Sequence, residues 1–397
     1  MFYYLSQLPA WIAQRGHPDW ADALSGLRVF QYVSFRVAGA AVTALLLSLW
    51  LGPRVIEWLR GLRVRQDYED RAREMGGITA DGISKRGVPT MGGLLIVGAI
   101  DLTALLWAQW NPLVSLTLGA MLVLCLLGFY DDYSKITRQQ SGGVRAAVKL
   151  AVQLALALLV GLYLWHLPMN SELPGAGGRG IEMHNLVSTI MVPFAKHPVL
   201  TGAGALGLLL TVLTIVGSSN AVNLTDGLDG LAIGSTAIVS MVFLVFTYIA
   251  GHHDQAAYLN IPHVPGAGDL AVVCAAMIGA SFGFLWFNCH PAQVFMGDTG
   301  SLALGGALGL IAVLIHQPFV LLIGGGVFVM EALSVLLQRG WFKYTRLKTG
   351  EGRRLLLMSP LHHHFQKLNW HENQVVIRFY IIGVLFAVLA LATLKLR

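Results

Sequence analysis

Residues 220–250 read NAVNLTDGLDG followed by LAIGSTAIVSMVFLVFTYIA, so a short polar segment with two aspartates meets twenty positions without one charge. An α-helix rises about 1.5 Å per residue, and about twenty apolar residues cross the roughly 30 Å hydrocarbon core of a bilayer. The 231–250 stretch is therefore expected to be a transmembrane helix, with carboxylates held at its edge. Working outward, apolar runs of similar length recur at 33–51, 92–110, 113–129, 148–167, 198–217, 270–287, 301–316, 319–338 and 376–394. That makes ten expected helices, two of them short for a full span. The composition agrees: 55% of the 397 residues are hydrophobic and 12% charged, against about 25% charged in soluble domains. Too little polar surface remains to cover a water-soluble body. No internal repeat is evident, and residues 1–30 lack the basic start, apolar run and small-residue cleavage site of a signal peptide. Cys125, Cys274 and Cys289 fit neither a disulfide framework nor a zinc site, and read as small core residues.

The fold class is thus all-α and polytopic, and its orientation follows from the cations. Alternating sides assigns 52–91, 130–147, 218–230, 288–300 and 339–375 to one face, and both termini to the other. The first set holds 18 of the 27 Lys and Arg residues. Positively charged loops stay in the cytoplasm, so both termini are expected in the periplasm. The net charge of +6 is a topology signal, and nucleic acid is not needed to explain it.

This orientation, set by Lys and Arg alone, also gathers the acidic motifs on the cytoplasmic face. They are Asp131-Asp132, Asn220 through Gly230 with Asp226 and Asp229, and Met296 through Ser301 with Asp298; the His362-His363-His364 run joins them. Carboxylates crowded at a membrane edge repel one another and lose water, so they call for a cation. Mg²⁺ suits them, because it takes one or two carboxylates together with phosphate oxygens. Lys85, Arg86 and Lys149 lie in or beside the same loops and can hold phosphates. Together these residue types describe phosphoryl transfer, where positioning and charge neutralisation supply most of the catalysis. Each motif also has a duller explanation. Asp131-Asp132 could end a helix, Asp226 and Asp229 could cap the sixth helix, Asp298 the eighth, and the histidines could be a solvated loop. Three consecutive residues cannot share a helix face, which disfavours zinc. Caps alone do not explain why every acidic cluster faces one side. Asp101 and Glu331 fall inside spans, away from that face, and structural hydrogen bonding is expected of both. A secondary transporter would place its site near the midplane, often between inverted repeats, rather than at one edge.

The chain resembles the polyprenyl-phosphate N-acetylhexosamine-1-phosphate transferase superfamily, and more closely its phospho-N-acetylmuramoyl-pentapeptide-transferase family. The matching stretches are Ser84 through Gly93, the Asp131-Asp132 pair, Asn220 through Gly230, Phe284 through Gly306, Met358 through His364, and Ala392 through Lys395. They cover about residues 30–397 in one membrane domain; residues 1–29, expected to be periplasmic, carry no recognised motif. The resemblance implies a bacterial inner-membrane enzyme with ten spans, a cytoplasmic site, Mg²⁺ and commonly a homodimer. It implies that UDP-N-acetylmuramoyl-pentapeptide and undecaprenyl phosphate give undecaprenyl-diphospho-muramoyl-pentapeptide (lipid I) and UMP. By the same resemblance, Asp298 matches the metal-binding aspartate, and Asp131 and Asp132 the pair that engages or deprotonates the lipid phosphate. Asn223, Asp226 and Asp229 match residues of the nucleotide and metal region, Asn288 a nearby polar contact, and Lys85 and Thr90 a loop near the diphosphate. Lys149 matches a basic site residue. His362, His363 and His364 match the motif that separates this branch from relatives using other sugars, such as UDP-N-acetylglucosamine transferases. The 168–197 loop, rich in Gly and Pro, is longer than that family pattern leads one to expect.

Overall fold

A computed structural model describes residues 1–15, 18–61, 87–137, 143–167, 171–173, 181–183 and 185–395. The principal helices are Val33–Gly61 (α1), Gly93–Trp107 (α2), Pro112–Thr137 (α3), Ala146–His166 (α4), Gly204–Thr225 (α5), Leu231–Ala250 (α6), Gly268–Asn288 (α7) and Gly297–Leu314 (α8). They continue with Pro318–Gly324 (α9), Gly326–Thr349 (α10), Leu361–Lys367 (α11) and Glu372–Ala392 (α12). Three short helices and a 3₁₀ turn precede α1, another short helix follows α6, and a two-stranded hairpin pairs Ser171–Leu173 (β1) with Ile181–Met183 (β2).

Eight of these helices are long and apolar enough to cross a bilayer, and α9 with α10 makes a ninth if that bent pair is one span. The chain is a multi-pass membrane protein. All ten expected runs are helical, with differences of detail; α1, α3 and α10 run past their expected ends. Helix α2 has only 15 residues. Helix α5 starts and ends later than expected, so Asn220 through Thr225 form its last turns rather than a loop. The expected straight span 319–338 is broken, α9 and α10 meeting at 85°. Gly324, Gly325 and Gly326 sit at that break, and a Cβ on Gly326 would enter the Phe386 ring.

Helix α8 is the centre of the bundle, with 89% of its apolar window buried against 22% for α1. Its sequence, rich in Gly, Ala and Leu, explains this position. Apolar burial drives little helix association in lipid, so close contact depends on small residues. A Cβ on Gly128 of α3 would strike the Asp298 carbonyl, and one on Gly93 of α2 would strike the Gly300 backbone. Those two contacts draw α2 and α3 onto the first turn of α8.

The ends of the bundle differ in character. The α2, α4, α6, α8 and α12 starts meet the α3, α5 and α7 ends at one, as the alternation of spans requires. At the other, Arg36 of α1 is buried in an ion pair with Asp269 of α7, and Asp269 also accepts from the Gln109 amide at 2.9 Å. The hairpin lies at this second end, where Glu172 bridges to His263. Of the three cysteines, Cys125 and Cys274 are buried as expected, whereas Cys289 is exposed.

Candidate active site

Helix α3 runs past the expected span end, carrying Asp131 and Asp132 to positions 0% and 1% exposed beside the α8 start. Asp131 Oδ1 accepts from the Val144 amide at 2.8 Å, and Oδ2 faces Lys135 Nζ at 2.6 Å and Lys149 Nζ at 3.2 Å. Asp132 Oδ2 accepts from the Thr299 amide at 3.1 Å and its hydroxyl at 2.8 Å. Asp298, in the first turn of α8, receives Asn223 Nδ2 at 2.9 Å on Oδ1, with Lys149 at 3.0 Å and Lys135 at 3.3 Å on Oδ2. Carboxylate oxygens of the three aspartates lie within 4.8 Å of one another. Among the described residues, three carboxylates face two ammonium groups, leaving one negative charge without a counter-charge in a poorly hydrated place. Such a charge requires a further cation or a protonation.

Thr90 arrives by backbone pairing. The Phe295 amide donates to Pro89 at 2.8 Å, and the Gly92 and Gly93 amides to Phe295 and Met296 at 2.9 and 3.0 Å. The Thr90 hydroxyl is buried, without a partner among the described residues, and a Cβ on Gly297 would meet both it and Asp132. Lys85 lies outside the described residues.

A second polar group forms where α6, α7 and α12 meet. His290 Nδ1 lies 3.0 Å from Asp229 Oδ2 and 3.6 Å from Glu372 Oε2. Asp229 also accepts from the Ala292 amide at 3.2 Å, and its own amide donates to Glu372 at 2.8 Å. Asn288 shapes the same loop, accepting from the Gly230 amide at 3.1 Å and donating to the Val294 carbonyl at 2.8 Å. Neither Asp226 nor Asp229 is the N-cap of α6, which is Gly230; Asp226 instead is the C-cap of α5, three residues beyond Asn223.

The three histidines diverge around α11. His362 is fully buried, its Nδ1 3.1 Å from Glu331 and its Nε2 turned toward Gly227 without a hydrogen-bond partner among the described residues. His363 pairs with Gln366 at 2.8 Å, and His364 Nδ1 accepts from the Leu357 amide at 3.2 Å. Glu331 does make the structural hydrogen bonds expected of it. It makes them to the histidine motif, though, so it is not remote from the polar face. Asp101 differs from expectation: its Oδ1 is buried with no hydrogen-bond partner among the described residues.

The family model for glycosyl transferase family 4 matches residues 114–316. A phospho-N-acetylmuramoyl-pentapeptide-transferase from Desulfotalea psychrophila is 48% identical over 377 residues, covering 94% of this chain and 97% of that one. Proteins of the same name from Neisseria meningitidis and Neisseria gonorrhoeae are each 44% identical over 403 residues, covering all of both chains.

The chain belongs to the phospho-N-acetylmuramoyl-pentapeptide-transferase family.

Its reaction class is therefore transfer of a phospho-sugar, and the UDP-N-acetylglucosamine alternative is not favoured. Sequence reading missed Lys135, His290 and Glu372. Lys135 was detectable, because it stands four residues after Asp131 and so on the same helical face, had the helix been drawn beyond residue 129. His290 and Glu372 carry no local signal, since only the fold joins them.

Proposed function

We propose that this protein transfers phospho-N-acetylmuramoyl-pentapeptide from UDP-N-acetylmuramoyl-pentapeptide to undecaprenyl phosphate at the cytoplasmic face of the bacterial inner membrane. The products are lipid I and UMP. The observation that carries this reading is the convergence of Asp131, Asp132 and Asp298 with Lys135 and Lys149 at one end of the bundle.

An apolar groove of about 360 Å³ supports a lipid acceptor. Its walls come from α5, α8, α9 and α10, including Leu213, Leu308, Phe319 and Phe328. They also include Ala221 and Val222, next to Asn223 of the polar cluster. A prenyl chain lying there would bring its phosphate to the aspartates.

Asp298, with Asp131 or Asp132, offers the hard oxygen donors that Mg²⁺ takes, and the uncompensated charge of the cluster fits a divalent cation. When bound, Mg²⁺ supplies neutralisation of the diphosphate oxygens. Lys135 and Lys149 hold phosphate oxygens as charge partners. Asp131 and Asp132 keep the acceptor phosphate ionised and aimed; a phosphate monoester has a second pKa of about 6, so aim is their larger contribution. An acceptor oxygen then bonds to the β-phosphorus, the bond from that phosphorus to the bridging oxygen breaks, and UMP leaves with the electron pair. His362, held by Glu331, borders the sugar side of the site.

The test is UMP release by the purified full-length protein in detergent, with undecaprenyl phosphate and Mg²⁺. Release with UDP-N-acetylmuramoyl-pentapeptide, none with UDP-N-acetylglucosamine, and loss on adding EDTA are the expected results. Release with UDP-N-acetylglucosamine alone would overturn the donor. A trapped phospho-aspartyl enzyme or ping-pong kinetics would replace the direct displacement by a covalent one.

A further inference from the structure

The C-terminal two-thirds of α10 is built unlike the other long helices. One narrow face is committed: Gln338 pairs with the backbone of Leu355 and Leu356, and the Thr345 hydroxyl accepts from the Arg353 amide at 2.9 Å. The rest is exposed. Leu333, Leu337, Tyr344 and Leu347, spaced by four, seven and three residues, form an apolar stripe widened by Leu336 and Trp341. Leu347 is 79% exposed. Along one flank of that stripe run Arg339, Lys343 and Arg346, spaced by four and three residues so that they share a face. Residues 339–354 contain six cations and a single acid, Glu351.

Two ordinary explanations fall short. The helix dipole favours cations in the last turn, which accounts for Arg346 and Lys348. It does not account for Arg339 and Lys343, further up the helix. Retention of cations on one side of the membrane explains how many there are, but not their alignment beside an apolar stripe. Like charges three and four residues apart destabilise a helix unless something neutralises them, and no carboxylate pairs with Arg339, Lys343 or Arg346 among the described residues. An apolar face bearing Trp and Tyr, edged by cations, is the pattern of a helix lying in the bilayer interface. The 85° break before α10 turns this segment away from the direction of α9.

We propose that residues 333–348 are an interfacial anchor, whose Arg339–Lys343–Arg346 row binds the phosphate headgroups of anionic phospholipids in the surrounding bilayer. The row spans about 10 Å at 1.5 Å per residue, room for more than one headgroup. Because α10 also carries Glu331, which holds His362, and lines the apolar groove through Phe328 and Leu333, headgroup binding steadies the helix that shapes both. The inference rests on the membrane setting of the chain and not on the identity of the sugar donor.

The experiment compares the full-length protein with Arg339→Gln/Lys343→Gln/Arg346→Gln in micelles containing equal phosphatidylglycerol and phosphatidylcholine, counting retained lipids by native mass spectrometry. The unaltered protein retains phosphatidylglycerol preferentially. The triple variant, monodisperse on gel filtration, loses at least about fivefold of that preference, since each cation near an anionic surface contributes ~1 kcal/mol. Arg339→Lys/Arg346→Lys, which keeps the charge, retains the preference. An unchanged preference in the triple variant overturns the proposal, as does its loss in the charge-retaining one. A tenfold loss of UMP release by the triple variant in neutral detergent, with phosphatidylglycerol retention intact, would assign the row to substrate instead.

Discussion

Asp298 and Lys135 are neighbours with opposite consequences for stability. Among the described residues the cluster holds three carboxylates and two ammonium groups, so removing one negative charge balances it, while removing one positive charge leaves two uncompensated. Asp298→Asn is therefore expected to lower turnover by at least about a thousandfold, as loss of a positioned charge at a phosphoryl-transfer centre does. Its thermal midpoint in EDTA should stay at or above that of the unaltered protein. Lys135→Gln should lower both, with a drop of several degrees, because a buried carboxylate without its partner is strongly destabilising. UMP release and thermal unfolding in the same buffer check the pair. Near-normal turnover in Asp298→Asn would remove that residue from metal binding, and an unchanged midpoint in Lys135→Gln would refute the charge argument.

At the scale of elements, the site depends on how closely α2 and α3 approach α8. Gly128 permits the α3 contact, since a Cβ there would strike the Asp298 carbonyl. Gly128→Val is expected to push the aspartate pair from Asp298, cutting UMP release tenfold or more while costing about 1–3 kcal/mol of stability, the usual range for overpacking. Gly128→Ala should fall between the two, and wild-type rates in Gly128→Val would show that the approach does not govern the site. These elements were only partly legible beforehand. Apolar length marked all ten runs, but the α3 and α5 ends were misplaced because a helix continues through polar residues when tertiary partners satisfy them. Asp131, Asp132 and Asn223 have such partners in Thr299, Lys135, Lys149 and Asp298. The α9–α10 break was hidden for a related reason. Three consecutive glycines in an apolar run read as tolerated small residues, and only packing against α12 shows that the chain turns there.

For the whole molecule, the opposite bundle ends make a topology prediction. If the cation-rich end is cytoplasmic, Cys289, exposed beside the second polar group, reacts with a membrane-impermeant maleimide only after cells are permeabilised. A cysteine introduced at the other end, Ser25→Cys, reacts in intact cells. The reverse pattern would invert the orientation and place the termini in the cytoplasm.

What the amino-acid sequence determined by itself was the class of molecule, because that depends on a sum, apolar length against bilayer thickness; Lys and Arg counted by loop gave the expected sides of the spans, which the labelling experiment tests. The sequence also marked Asp131, Asp132, Asn223, Lys149 and Asp298 as candidates; Lys149 bonds to Asp131 and Asp298, Asn223 bonds to Asp298, and an Asp132 oxygen lies within 4.8 Å of the other two aspartates. The tertiary structure alone decided which polar groups meet. His290 reaches Asp229 and Glu372, and His362 reaches Glu331, across 61, 82 and 31 positions of chain. It also left Asp101 Oδ1 buried without a hydrogen-bond partner among the described residues. Contacts of that kind depend on helix direction and on how closely glycine-faced helices approach, and no local pattern in the chain encodes them.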